Sequence, residues 1–292
     1  MRVSETLLKT VGYVAEVVHS GKEDHYDHSA TGFFVTVTAP AEPSRGWGHF
    51  VTARHVAVDL QDRDIAFLVN TRSGGVAALT MSSDRWFFHP DASVDVAVLP
   101  FSAMPEHDLV TIGPESFLTP DLMTALKIGL GDELIIPGLF TFAPGVKRNL
   151  PIVRIGSLAM IPDEPIQVDC GFAQVYLVEA RSIGGLSGSP VFVRGSLKFP
   201  LRPMNADGEF MGTSSIPYLL GLMHGHWDTR ESEMNKAHFV ADRQRGVNLG
   251  IGVVVPAEKI LEVLDHPGLI AMRQNVKATP NRKCQTKASP VL

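Results

Sequence analysis

Short apolar runs recur from residue 11 to residue 255, most of them rich in β-branched and aromatic residues and closed by turn formers. Such runs cannot carry a helical face for long, and they read as strands. In the first third the runs are 11–18, 32–37, 48–52, 65–70, 75–81 and 96–99. Residues 19–21 (His-Ser-Gly) and 39–43 (Ala-Pro-Ala-Glu-Pro) bound the first two, and Ser73-Gly74-Gly75 joins 65–70 to 75–81. A second series comprises 133–139, 152–161, 173–178, 190–193, 216–223 and 248–255. Residues 53–58 read as one helical turn, 122–127 as a short helix, and 257–264 as a helix with Ile260, Leu261 and Leu264 on one face. The 26 glycines and 20 prolines fit many short strands joined by turns. A chain of 292 residues is too long for one small core and suits two modest ones.

Three blocks in this frame carry chemistry. Thr52-Ala53-Arg54-His55-Val56 ends one strand, Asp95-Val96-Ala97-Val98-Leu99 begins another, and Gly185-Leu186-Ser187-Gly188-Ser189-Pro190 is a glycine-rich turn. A serine hydroxyl is a poor nucleophile at neutral pH. It needs a base to take its proton and a carboxylate to hold that base in the right tautomer. Each block supplies one of these groups: His55 the base, Asp95 the carboxylate, Ser187 the nucleophile. Gly185 and Ser187 would offer backbone amides to an oxyanion. Each assignment has a rival: Ser189 in the same turn, Asp91 four residues before Asp95, and His49 or His89 among the 11 histidines.

The blocks and their order, His55, Asp95, Ser187, resemble the trypsin/chymotrypsin-like serine peptidases, in particular their bacterial HtrA-like and glutamyl-endopeptidase-like branches. The α/β-hydrolases and subtilisins place the same groups in other orders. The resemblance covers residues 10–265. It implies a mainly β fold of two six-stranded antiparallel barrels with a C-terminal helix, residues 10–112 forming the first barrel, 130–265 the second barrel plus helix, and 102–129 the connection. It implies a serine endopeptidase acting through an acyl-enzyme on a polypeptide substrate, with no cofactor. The alternative on the same fold is a catalytically silent module that holds a protein partner in its cleft.

Leu186 stands where the digestive members have an aspartate that pairs with a new N-terminus, so activation by N-terminal processing is not expected. In the family, specificity walls lie just before the nucleophile loop and on the strand after it. Arg181 and His224 fall there and suggest a pocket for Glu or Gln, whereas no aspartate is placed to bind Lys or Arg. His25-x-x-His28 with Asp24 and Asp27, and His224-x-His226, have metal-ligand types, yet neither shows a third ligand at fixed helical spacing, and no metal is expected.

A net charge of -5 gives no reason to expect nucleic-acid binding. No apolar run approaches the length of a membrane span, so no membrane contact is expected. Glu5 and Lys9 interrupt any leader-like core, and the expected compartment is the cytoplasm. Cys170 and Cys284 are both expected as free thiols. The charged run 228–242 reads as a surface loop, with a regulatory protein partner as one role for it. Residues 266–292 are expected to be a disordered tail, lacking acidic residues from 267 on and with few large apolar groups.

Overall fold

The structure is a computed structural model. It describes residues 3–21, 23–39, 42–168, 170–180, 185–194, 199–203, 214–230 and 246–275. In the N-terminal half, β1 (Val11–Ser20), β2 (Glu23–Ala39), β3 (Glu42–Thr52), β4 (Ile65–Asn70), β5 (Val76–Met81), β6 (Phe87–Phe88) and β7 (Ala97–Phe101) build one antiparallel sheet. Its order is β5-β4-β1-β2-β3-β7-β6. After β8 (Val110–Thr111) comes β9 (Glu133–Gly138), which begins a second unit with β10 (Ile152–Met160), β11 (Ile166–Val168), β12 (Gly171–Ala173), β13 (Tyr176–Glu179) and β14 (Pro190–Val193). β15 (Phe199–Pro203), β16 (Ser214–Ile216), β17 (Leu219–Arg230) and β18 (Gly246–Pro256) complete the strands. Six of these close into a barrel in the order β10-β13-β18-β17-β14-β9.

The mainly β architecture read from the sequence is therefore the one adopted. The first half differs in detail, its strands running to seven in one sheet while the second half closes with six. Buried residues of β1 to β4 and β7 fill the first core, often consecutive ones, and Phe33, Phe34, Phe50 and Phe67 are fully buried there. Phe50 and Phe67 stack with centroids 4.0 Å apart. Leu134, Ile136, Val178, Val191, Leu220 and Val254 fill the barrel.

Helices are few: α1 (Glu5–Leu8), α2 (Arg54–Asp59), α3 (Pro120–Leu126), α4 (Ala257–Leu264) and α5 (Pro267–Asn275). Thr119 caps α3 through its side chain, and Lys127 ends it in the left-handed region. α4 buries Ile260, Val263 and Leu264 in the first core although its residues follow the second barrel, so it ties the two halves together. None of the described helices is long and apolar enough to cross a membrane.

The first part of the segment expected as a tail is helical: α5 holds Leu269 only 1% exposed, and its Arg273 donates to the carbonyl of Leu264. Leu269 supplies the apolar group that a composition-based reading passed over. Residues 276–292, with Cys284, lie outside the described residues, as do 231–245 of the charged run. Asp228 and Arg230 of that run belong to β17.

Candidate active site

β3 ends at Thr52, and α2 starts two residues later, so the chain turns sharply where His55 stands. Asp95 lies just before β7, which pairs with β3 from Thr52↔Ala97 onward. That register brings the acid beside the histidine. Asp95 is 3% exposed, and its Oδ1 accepts the backbone N–H of His55 at 2.8 Å. Its Oδ2 lies 2.8 Å from His55 Nδ1. Both oxygens thus hold one residue, fixing the imidazole by its ring and by its main chain.

The nucleophile turn docks between the two halves. Thr31 on β2 is its buried post: its amide donates to Ser187 O at 3.1 Å, and its hydroxyl donates to Gly185 O at 2.7 Å. The same hydroxyl accepts the Leu139 amide at 2.7 Å. Thr52 Oγ1 in turn donates to Thr31 O. Gly188 has a φ of 81°, and a Cβ there would collide with Thr31 O and Thr52 Oγ1. Only glycine allows so close an approach. On the other side Gly188 N donates to Met223 O, and Met223 N donates to Ser189 O, so β17 clamps the turn.

Leu186, at the position where an ion pair is ruled out, is 1% exposed and packs over Gly138. The turn is held by hydrogen bonds and apolar burial instead. Gly185 has a φ of 95°, and among the described residues neither the Gly185 nor the Ser187 amide is taken by a backbone carbonyl.

Within Gly185–Pro190, Ser187 is the residue that is not fully buried. Ser189 is 0% exposed, with no hydrogen-bond partner for its hydroxyl among the described residues, and substrate cannot reach it. Asp91 accepts the amide and hydroxyl of Ser93 at an exposed turn. His89 bonds Glu262 on α4. His49 is buried in β3, where burial and then the charge of Arg273 push its imidazole down to about 4. The direct pair is His55 with Asp95, and Ser187 reaches this cluster through the carbonyl of His224.

His224 joins this cluster in a role beyond the pocket wall read from the sequence: its Nδ1 is hydrogen-bonded to Asp95 Oδ2, the oxygen that also meets His55. The two imidazoles stand edge to face, centroids 5.4 Å apart and planes at 84°. The carbonyl of His224 accepts the Ser187 hydroxyl at 3.1 Å. With its one proton on that carbonyl, the hydroxyl must rotate to hand it to a base. Arg181, the other pocket residue expected, lies outside the described residues.

Burial by itself would raise the Asp95 carboxyl. The hydrogen bonds from His224 and His55, with their charges, overcome it and hold Asp95 well below the ordinary carboxylate range. The acid therefore stays ionised at any pH where the imidazoles can work.

His55, Asp95 and His224 each present one metal-ligand atom, all within 4.8 Å of one another. Ligands around a tetrahedral zinc stand about 3.3 Å apart, whereas Asp95 Oδ2 and His55 Nδ1 are 2.8 Å apart, a separation bridged by a proton. The donor set is arranged as hydrogen-bond partners, and a cation would have to spread it and displace the Nδ1 protons. His25 and His28 are three positions apart on β2 and so face opposite sides of the strand. Asp24 is engaged by His19.

No family model and no curated protein matches the sequence. Among solved structures, the chain is similar to the MamO protease domain from Magnetospirillum magneticum in its apo form. The TM-score is 0.53 and the identity 15%, over 90% of this chain and 99% of that one. Deg5 aligns with a TM-score of 0.45 and 13% identity over 88% of each chain. The first of these likenesses shows the fold, a protease-type β architecture, independently of any sequence match.

Proposed function

We propose that the chain is a serine endopeptidase. The observation that carries this reading is the buried Asp95 carboxylate, which grips His55 through both ring and backbone within a fold shared with a protease domain. With Nδ1–H on Asp95, the neutral His55 ring has Nε2 as its acceptor. Ser187 would rotate from the His224 carbonyl, give its proton to His55 Nε2 and attack the peptide carbonyl. The Gly185 and Ser187 amides would receive the oxyanion. His55 would pass the proton to the leaving amine, and water would release the acyl-enzyme by the reverse relay. No step calls on a cofactor.

The absence of a pocket aspartate still speaks against Lys or Arg before the scissile bond, since a buried cation needs a partner. The Glu or Gln preference loses its motive, because His224 faces Asp95.

The test is fluorophosphonate labelling together with cleavage of a peptide library, on the wild type and on Ser187→Ala. Labelling and turnover that vanish in Ser187→Ala are the expected result. The Ser187 proton resting on His224 O favours a second reading, a silent cleft that binds a segment of another protein. Unlabelled wild type that binds peptides without cutting them would select it.

A further inference from the structure

We propose that His224 is a positioning residue of this site, a second imidazole that locks Asp95 so that His55 is held in one tautomer and one orientation. The inference rests on the peptidase reading for its kinetic consequences and on geometry for its substance.

Three observations converge on one residue. The His224 ring donates to Asp95 Oδ2, its carbonyl accepts from Ser187 Oγ, and its ring meets the His55 ring edge to face. Its side chain is 12% exposed, so water has little access to compete for these contacts. The ladder explains how a strand residue reaches so far. β17 pairs with β18 at Met223↔Val254 and then at Gly225↔Val253, which leaves His224 as the extra residue of a bulge. A bulge breaks the alternation of faces and re-aims one side chain.

The chemistry follows from counting donors. Asp95 Oδ1 takes the His55 amide, while Oδ2 takes two imidazole nitrogens. An ionised carboxylate only accepts, so both Nδ1 atoms must carry protons and both Nε2 atoms are left as acceptors in the neutral rings. His55 on α2 already holds both oxygens, and the His224 donor adds an anchor from a second element, β17, so a movement of the carboxylate that followed His55 would still forfeit a bond. The ionisable groups acting on Asp95 are His224 and His55, and the nucleophile turn contributes none. Removing the His224 donor concentrates the carboxylate charge on His55 and favours its protonated form. The base should then be lost at a higher pH.

Labelling and cleavage by the wild type against Ser187→Ala first decide the peptidase reading on its own. His224→Ala should then lower kcat about tenfold to a hundredfold, with KM within about twofold, because a loosened base misses its geometry. The acid limb of kcat/KM should move up by about half a unit or more. His224→Asn, whose side-chain N–H can stand in for Nδ1–H, should recover most of both effects. Nitrogen-15 NMR of histidine-labelled wild type reads the geometry without any turnover, and it should show protonated Nδ1 on both His55 and His224. A His224 ring protonated only at Nε2 overturns the proposal even in an active enzyme. So does His224→Ala with wild-type kcat and acid limb, or an Asn variant as poor as Ala. Should His224→Ala fail to fold, the Asn variant and the wild-type spectrum still decide.

Discussion

Thr31→Val is the sharpest test of how the nucleophile turn is held. The substitution keeps the shape of the side chain and deletes one hydroxyl that serves two buried main-chain groups, Gly185 O and the Leu139 amide, each at 2.7 Å. Thr31 and Leu139 are 0% exposed, so water cannot take the vacated place without moving the turn. A buried polar group left without its partner costs about 1–3 kcal/mol, so two of them should cost about 2–6 kcal/mol. That is a large share of the ~5–15 kcal/mol that holds a domain together. Thr31→Ser keeps the hydroxyl and loses only a methyl, worth about 1 kcal/mol. Chemical denaturation of both variants gives the stability difference. Turnover gives a second reading, because under the proposed function Gly185 would carry an oxyanion amide, and losing such a donor costs about 2.7–4 kcal/mol of transition-state stabilisation. Thr31→Val should therefore be less stable than Thr31→Ser and far slower. A Val variant within about 0.5 kcal/mol of the wild type, with full turnover, would refute the reasoning, since that is the scatter of unremarkable surface changes.

Two further outcomes are expected. His49 titrates near 4 in the folded chain, below its ordinary value of 6.5, because burial and Arg273 disfavour the charged ring. The unfolded chain therefore binds the proton first, and stability that is complete above pH 6.5 should fall by up to about 3 kcal/mol towards pH 4. His49→Gln should flatten that slope in urea titrations at a series of pH values, and an unchanged slope would assign it to other groups. Truncation should separate two parts of the C-terminus: removing residues 276–292 should leave the melting temperature and peptide cleavage as they are, whereas removing 267–292 also exposes the Leu269 site and should cost about 2 kcal/mol. Equal melting curves for the two truncations would show that α5 contributes nothing.

Much of this protein is legible in local sequence. The strands around residues 48–52, 65–70, 133–139 and 190–193 announce themselves because β-branched alternation and turn formers act over a few residues. Ser187, His55 and Asp95 are legible for a related reason: each sits at a strand end or tight turn whose chemistry is written in adjacent letters, Gly-Leu-Ser-Gly, Thr-Ala-Arg-His and Asp-Val-Ala-Val-Leu. Their proposed choice over Ser189, Asp91, His49 and His89 rests on burial and partners in the folded chain.

Tertiary structure alone decided the remainder. Thr31 reads as an ordinary strand threonine, and its role comes from a hydrogen bond to a residue 154 positions away. Leu269 gives no periodic signal in so short a segment, yet packing against the first core makes it ordered. His224 shows the limit most clearly. Its neighbours Met223 and Gly225 predict only a strand, and a strand read by alternation assigns its side chain to a face. The bulge that turns it onto Asp95 exists because β17 and β18 slip by one residue where they pair. Register is a property of two strands meeting, and it is set by long-range packing that no single run of letters contains.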